Sequence, residues 1–164
     1  MERKRRVGSA DRDLVGDLYP CLRRFASVVC PAEDDPNDLV QEALLRTLSK
    51  GPLDDLEDAG AYLRRAIFNL ASSRRRSLAR QRKALARMGP PPVERPVYSW
   101  DVEELLAVPP KARAILYLRI IEGRPFEEIA DLLGCSQVSA RAAASRARRR
   151  LRSLLTEEVR DGTA

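Results

Sequence analysis

The chain has 164 residues, a third of them charged, with 30 Lys and Arg against 24 Asp and Glu and no histidine. The missing histidine, together with three cysteines (Cys21, Cys30 and Cys135) too far apart for a paired CxxC motif, argues against a zinc site and against histidine-based acid/base catalysis. No apolar run approaches membrane-spanning length, and the start, "MERKRRVGSADRD", lacks the apolar stretch of a signal peptide, so a soluble cytoplasmic protein without membrane insertion is expected.

Charge is segregated along the chain. From Glu33 to Asp58 there are nine acids against Arg46 and Lys50, whereas from Arg64 to Arg87 there are nine basic residues and no acid. A second basic block runs from Arg141 to Arg152. Each run alone fits a solvated helix face equally well; two cationic segments separated by acidic sequence point to a polyanion touched at two places. The sparse cysteines fit a reducing compartment, and each reads as a small buried apolar residue.

Apolar positions recur at helical spacing nearly throughout, which predicts an all-α fold. Leu14, Val15, Leu18, Leu22, Phe25, Ala26 and Val29 trace one face of a first helix, with a bend expected at Pro20 and a stop at Pro31. In "DDPNDLVQEALLRTLSKGP", Asp35 is placed to cap a second helix, Pro36 to occupy its first turn, and Gly51 with Pro52 to close it. A third helix opens near Asp58 with Tyr62, Leu63, Ala66, Ile67 and Leu70 as its apolar stripe. It continues into "SSRRRSLARQRKALARM", where too little apolar surface is left for a core.

The proline-rich stretch "GPPPVERPVYSW" admits no regular element and reads as a linker. The chain therefore divides into an N-terminal helical domain over 9–88, a linker over 89–100 and a C-terminal domain over 101–157. The latter is expected to hold a short helix around Val102 to Leu106, then "KARAILYLRIIEG" opened by Pro109 and Pro110 and ended by Gly123.

Phe126, Ile129, Ala130 and Leu133 then form one apolar stripe on a helix of about two turns. Gly134 ends it in the left-handed region, and Ser136 caps the next helix. This is helix-turn-helix spacing, a pattern that small helical bundles also produce by chance. In the long helix that follows, Ala140, Ala144, Ala147, Leu151, Leu154 and Leu155 share a face, and no acid between Ser136 and Ser153 neutralises its arginines. Such a helix can enter a major groove with Gln137, Ser139 and Arg141 near base edges, while later arginines such as Arg146 and Arg148 reach phosphates.

At this point both halves resemble one family. "VPPKARAILYLRIIEGRPFEEIADLLGCSQVSARAAASRARRRLRSLL" resembles the promoter-binding C-terminal domain of extracytoplasmic-function sigma factors of bacterial RNA polymerase. "DPNDLVQEALLRTL" followed by "AYLRRAIFNLASSRRR" is similar to that family's N-terminal domain, and the two matches cover Asp11 to Leu155. The resemblance implies a specificity subunit that brings core RNA polymerase to promoter DNA and assists strand opening.

Carried over by position, "DLVQE" with Asp38, Leu39, Gln41 and Glu42 corresponds to the helix that grips the polymerase. The stretch from Arg64 to Arg76 corresponds to the reader of the melted promoter element. Within it Asn69 stands at the family's asparagine near an extruded base, Arg65, Arg74, Arg75 and Arg76 line the strand, and Tyr62 and Phe68 offer stacking. An exposed acidic helix face and a core-edge amide are the simpler readings of "DLVQE" and Asn69.

The resemblance also implies an anti-sigma protein as a further partner, which the sequence itself does not show. Ala140, Ala143, Ala144 and Ser145 stand where the family usually carries valine, arginine, leucine and histidine, and Ser73 replaces an aspartate, so upstream-element recognition here leans on phosphates or on another protein. No cofactor and no catalytic residue is expected. The competing reading is a conventional helix-turn-helix regulator that binds duplex DNA as a dimer; a weaker one is a helical RNA-binding protein.

Overall fold

A computed structural model describes residues 9–85 and 108–161. The linker 89–100, the helix expected around Val102 to Leu106 and the predicted extension of the third helix to Met88 lie outside the described residues. Within them the elements are six α-helices and one 3-10 turn with no strand, as an all-α fold requires. The chain divides into two compact units, Met1–Arg95 and Pro96–Ala164, and the boundary falls inside the proline-rich stretch.

In the first unit, α1 (Ser9–Val29), α2 (Pro36–Leu48) and α3 (Ala59–Leu85) each pack against the other two. The start of α2 follows from its sequence: Asp35 is extended and its side chain accepts from the Asn37 N–H at 2.8 Å, which satisfies an amide that a helix leaves open, and Pro36 needs no partner there. Asp58 does the same for α3, accepting from the Ala61 N–H at 2.7 Å. The core comprises Leu22, Phe25, Ala26 and Val29 from α1, Leu39, Val40, Ala43 and Leu44 from α2, and Leu63, Ile67, Phe68, Leu70 and Ala71 from α3. Burying each of the larger side chains contributes roughly 1.5–3 kcal/mol.

The connection between α2 and α3 is tied down by a residue that hydropathy alone passes over. Asp11, buried in the first turn of α1, accepts from the Leu53 N–H at 2.9 Å, and Leu53 opens the 3-10 turn Leu53–Asp55 and is itself fully buried.

Details of the periodicity shift. Leu14, Val15 and Leu18 are only half-buried, and the α1 face becomes core from Leu22 onward. Helix α1 runs without a break through Pro20; the residue is exposed, so water can reach the Gly16 carbonyl that loses its donor. In α3 the buried stripe is rotated by about one residue: Tyr62 is exposed, and Phe68 is 7% exposed and belongs to the core.

In the second unit, α4 (Pro110–Ile120), α5 (Phe126–Leu133) and α6 (Gln137–Asp161) pack pairwise. Gly123 and Gly134 sit at φ of +69° and +61°, the left-handed region that side chains resist, and Gly134 closes α5. Ser136 opens α6 by accepting from the Ser139 N–H at 3.1 Å. The two helices are thus only three residues apart, the connection their sequence calls for. Ala140, Ala144 and Ala147 are buried on α6 opposite Ile129, Ala130, Leu132 and Leu133 of α5 and Ala112, Ile115, Leu116 and Leu118 of α4. Small side chains at these positions let the helices approach closely.

Candidate nucleic-acid interface

The arginines expected on α3 divide into two groups. Arg65 is exposed and shares one stripe of the helix with Tyr62, Ala66, Asn69 and Ser73, the 3.6-residue repeat placing all five toward the end of α2. Together with Arg46, Thr47, Lys50 and Leu70 they line an open groove of about 430 Å³. The Lys50 ammonium donates to the Tyr62 hydroxyl at 3.4 Å across it. Asn69 is exposed in this groove, so the reading of it as a core-edge amide gives way to a side chain open to solvent. The lining is a phenol ring, two guanidiniums, an ammonium and a carboxamide, a combination suited to an aromatic group carrying negative charge.

Arg74 and Arg75 lie elsewhere. Arg74 donates through Nη2 to Glu42 Oε2 at 2.5 Å and faces Asp34 Oδ2 through Nη1 at 3.3 Å. Arg75 donates to the Val29 carbonyl, the last residue of α1, and to the Ser72 hydroxyl at 3.1 Å. Burial lowers the Arg75 pKa, and the hydrogen bond to Glu42 raises that of Arg74. Both therefore fasten α3 to its neighbours, whereas Arg76 is exposed and has no hydrogen-bond or ion-pair partner among the described residues. Phe68 cannot stack on anything outside the unit, because its ring is part of the core.

On α2, Asp38, Gln41 and Glu42 recur at helical spacing and reach the surface, Glu42 only partly. Leu39 does not join them: one residue on, it is turned by 100° and fully buried, which removes it from any outward-facing surface. Leu45 takes its place on the outer face, 70% exposed and one turn beyond Gln41 and Glu42. The sequence reading missed it because an apolar residue in an amphipathic helix is assigned to the core by default. Both Glu42 oxygens are engaged, one by Arg74 and the other by Arg46. The hydrogen bond from Arg74, with the charge of Arg46 adding to it, holds this carboxyl below the usual glutamate range.

In the second unit, Gln137, Ser139, Arg141, Arg146 and Arg148 are all exposed on α6. The Ser139 hydroxyl is within 2.8 Å of the Ser136 hydroxyl, so it is partly occupied by the cap. Val138 between them is 76% exposed, a second apolar residue at the surface that hydropathy does not flag. Arg141 lies over the Phe126 ring at 5.5 Å from its centre and Arg119 of α4 at 5.3 Å, so one aromatic side chain orders two guanidiniums. With Phe126 and Arg141, the side chains of Ala144, Ser145, Arg148, Arg149 and Arg152 line a concave surface of about 390 Å³. No acid lines it, which makes it an anion-attracting surface.

Among the cysteines only Cys30 is buried; Cys21 and Cys135 are half-exposed, so the expectation that all three are core residues holds for one. Among the described residues no helix is long and apolar enough to cross a membrane, and no group of side chains is arranged to hold a metal.

Residues 102–151 match the family model "Sigma-70, region 4". The chain is also similar in structure to the sigma factor RpoE, solved in complex with the anti-sigma factor NepR from Bartonella quintana. That similarity has a TM-score of 0.75 at 23% sequence identity and covers 91% of this chain and 98% of the other. No curated protein matches the chain by sequence. The fold is thus similar to that of this sigma factor, and the helix-turn-helix of the second unit lies within the stretch that matches the region 4 model.

Proposed function

We propose that the chain is the promoter-specificity subunit of a bacterial RNA polymerase, acting in the cytoplasm and carrying no catalytic chemistry of its own. The observation that carries this reading is the pairing of a region 4 helix-turn-helix, whose exposed face is arginine-rich, with a separate helical unit that bears a second cationic groove.

In this reading Asp38, Gln41, Glu42 and Leu45 form the face of α2 that binds core polymerase. The groove between α2 and α3 receives the unpaired strand: Asn69 and Tyr62 meet an extruded base, while Arg65, Lys50 and Arg76 attract the backbone. Strand opening without ATP draws on such contacts, because stacking and phosphate neutralisation recover part of the cost of unpairing. In the second unit Gln137, Val138, Ser139 and Arg141 approach base edges, and Arg146, Arg148 and Arg149 hold phosphates. An anti-sigma protein that covers these surfaces is the natural regulator of such a chain, by analogy with the complex of the structural relative.

The direct test is core-polymerase binding by the Asp38→Ala, Gln41→Ala double variant, measured by gel filtration with circular dichroism as the folding control. We expect complex formation to be weakened at least tenfold with helicity unchanged. Normal complex formation would refute the assignment of α2.

A further inference from the structure

The sequence groups Arg74 with the DNA-contacting arginines, yet its guanidinium bridges two acids from different parts of the first unit. One is Glu42 on α2, and the other is Asp34 in the connection between α1 and α2. We infer that Arg74 is a positioning residue for the polymerase-binding face: it holds the Glu42 carboxylate in place on α2 and leaves DNA contact to Arg65 and Arg76. This rests on the reading of α2 as that face.

Three observations carry the inference. First, Glu42 is gripped from two sides, by Arg46 one turn along its own helix and by Arg74 from α3, so a side chain with three rotatable bonds is fixed before any partner arrives. A carboxylate offers about four lone-pair sites, and two donors leave room for a third from a partner; fixing it beforehand lowers the entropy lost on binding.

Second, Arg74 is not free to leave. Asp34 Oδ2 is buried and has no hydrogen-bond donor among the described residues, so the charge of Arg74 at 3.3 Å is what stabilises it. Swinging the guanidinium onto a phosphate would leave a buried carboxylate oxygen uncompensated, which is costly. Third, the planar fork of arginine is the group that can span both acids; lysine, a point charge, cannot. Arg74 and Glu42 are each 30% accessible, which shields the pair from the full screening of bulk water.

The test uses the full-length chain and two probes, core polymerase without DNA and a thymidine 30-mer without polymerase. We expect Arg74→Ala to weaken polymerase binding about fivefold and to leave oligonucleotide binding unchanged. Arg76→Ala should do the reverse, lowering the slope of log affinity against log salt by about 0.7 for one lost single-strand phosphate contact. Because a structural defect alone would also weaken binding, the deciding readout is a double-mutant cycle. In a Glu42→Gln background Arg74→Ala should add less than twofold, whereas independent effects would multiply.

Should Arg74→Ala fold poorly, Arg74→Lys keeps the charge, loses the bridge and is expected to show the same loss and the same cycle. If Arg74 variants bind polymerase normally and lose affinity for the oligonucleotide, or if the cycle is multiplicative, the positioning role is wrong. If Glu42→Gln and the Asp38→Ala, Gln41→Ala variant also bind polymerase normally, the assignment of α2 itself has failed.

Discussion

Cys30 illustrates how far a neighbourhood sets the chemistry of one side chain. Its thiol is buried and donates to the Asp34 carbonyl at 3.2 Å; burial first, and then the negative charge of Asp34, push its pKa up to about 12. The thiolate is the reactive form, so this cysteine is inert at neutral pH. In native protein treated with iodoacetamide at about pH 8, peptide mass spectrometry should find Cys21 and Cys135 alkylated well before Cys30; equal labelling would contradict the placement. At Gly134 the cost of a side chain comes from the backbone alone, since nothing lies within 4 Å of an added Cβ while φ is +61°. Gly134→Ala should therefore destabilise the second unit by about 1 kcal/mol in urea titration, and no loss of stability would argue against the left-handed turn. Gly134 and Ser136 were legible in the sequence because turns and caps are local chemistry. Leu39 and Phe68 were not: which side of a helix turns inward depends on its partners.

The elements differ in how their charges are used. On α2 and α3 some of them are paired, as Glu42 is with Arg46 and Arg74, and Glu42 gives this a pH signature. Its pKa is depressed, so protonation is disfavoured in the folded state. Its contribution to stability is complete above the ordinary glutamate value and is lost as pH falls through the lower, folded-state value. Wild type should exceed Glu42→Gln by about 1 kcal/mol at neutral pH, a partly exposed pair being weakened by solvent. The difference should shrink below about pH 4.5, and a gap that does not change with pH would mean that Arg74 and Arg46 do not stabilise the carboxylate. On α6 the arginines are exposed. Replacing Arg148 by alanine should reduce the salt slope of duplex binding by the holoenzyme by about 0.9, while an unchanged slope would remove Arg148 from the phosphate contacts. Sequence alone could see both basic runs; the difference between them depends on acids distant in the chain, Asp34 and Glu42, that only folding brings beside α3.

At the scale of the molecule, helical periodicity, one proline-rich stretch and two basic blocks made the two-unit architecture readable, because each of these features is expressed within a few turns of chain. The groove between α2 and α3 was only half visible. Tyr62, Arg65 and Asn69 come from one helix, but Arg46, Thr47 and Lys50 come from the end of another, and no pattern in either segment announces the other. The central claim is that these surfaces serve one machine. It is tested most directly by adding the purified chain to bacterial core RNA polymerase and transcribing a library of randomised upstream sequences, then sequencing the templates that yield run-off products. The account predicts transcripts that depend on the chain and share two separated upstream motifs. An inert mixture, with the isolated chain instead binding an intact palindromic duplex tightly as a dimer, would contradict it.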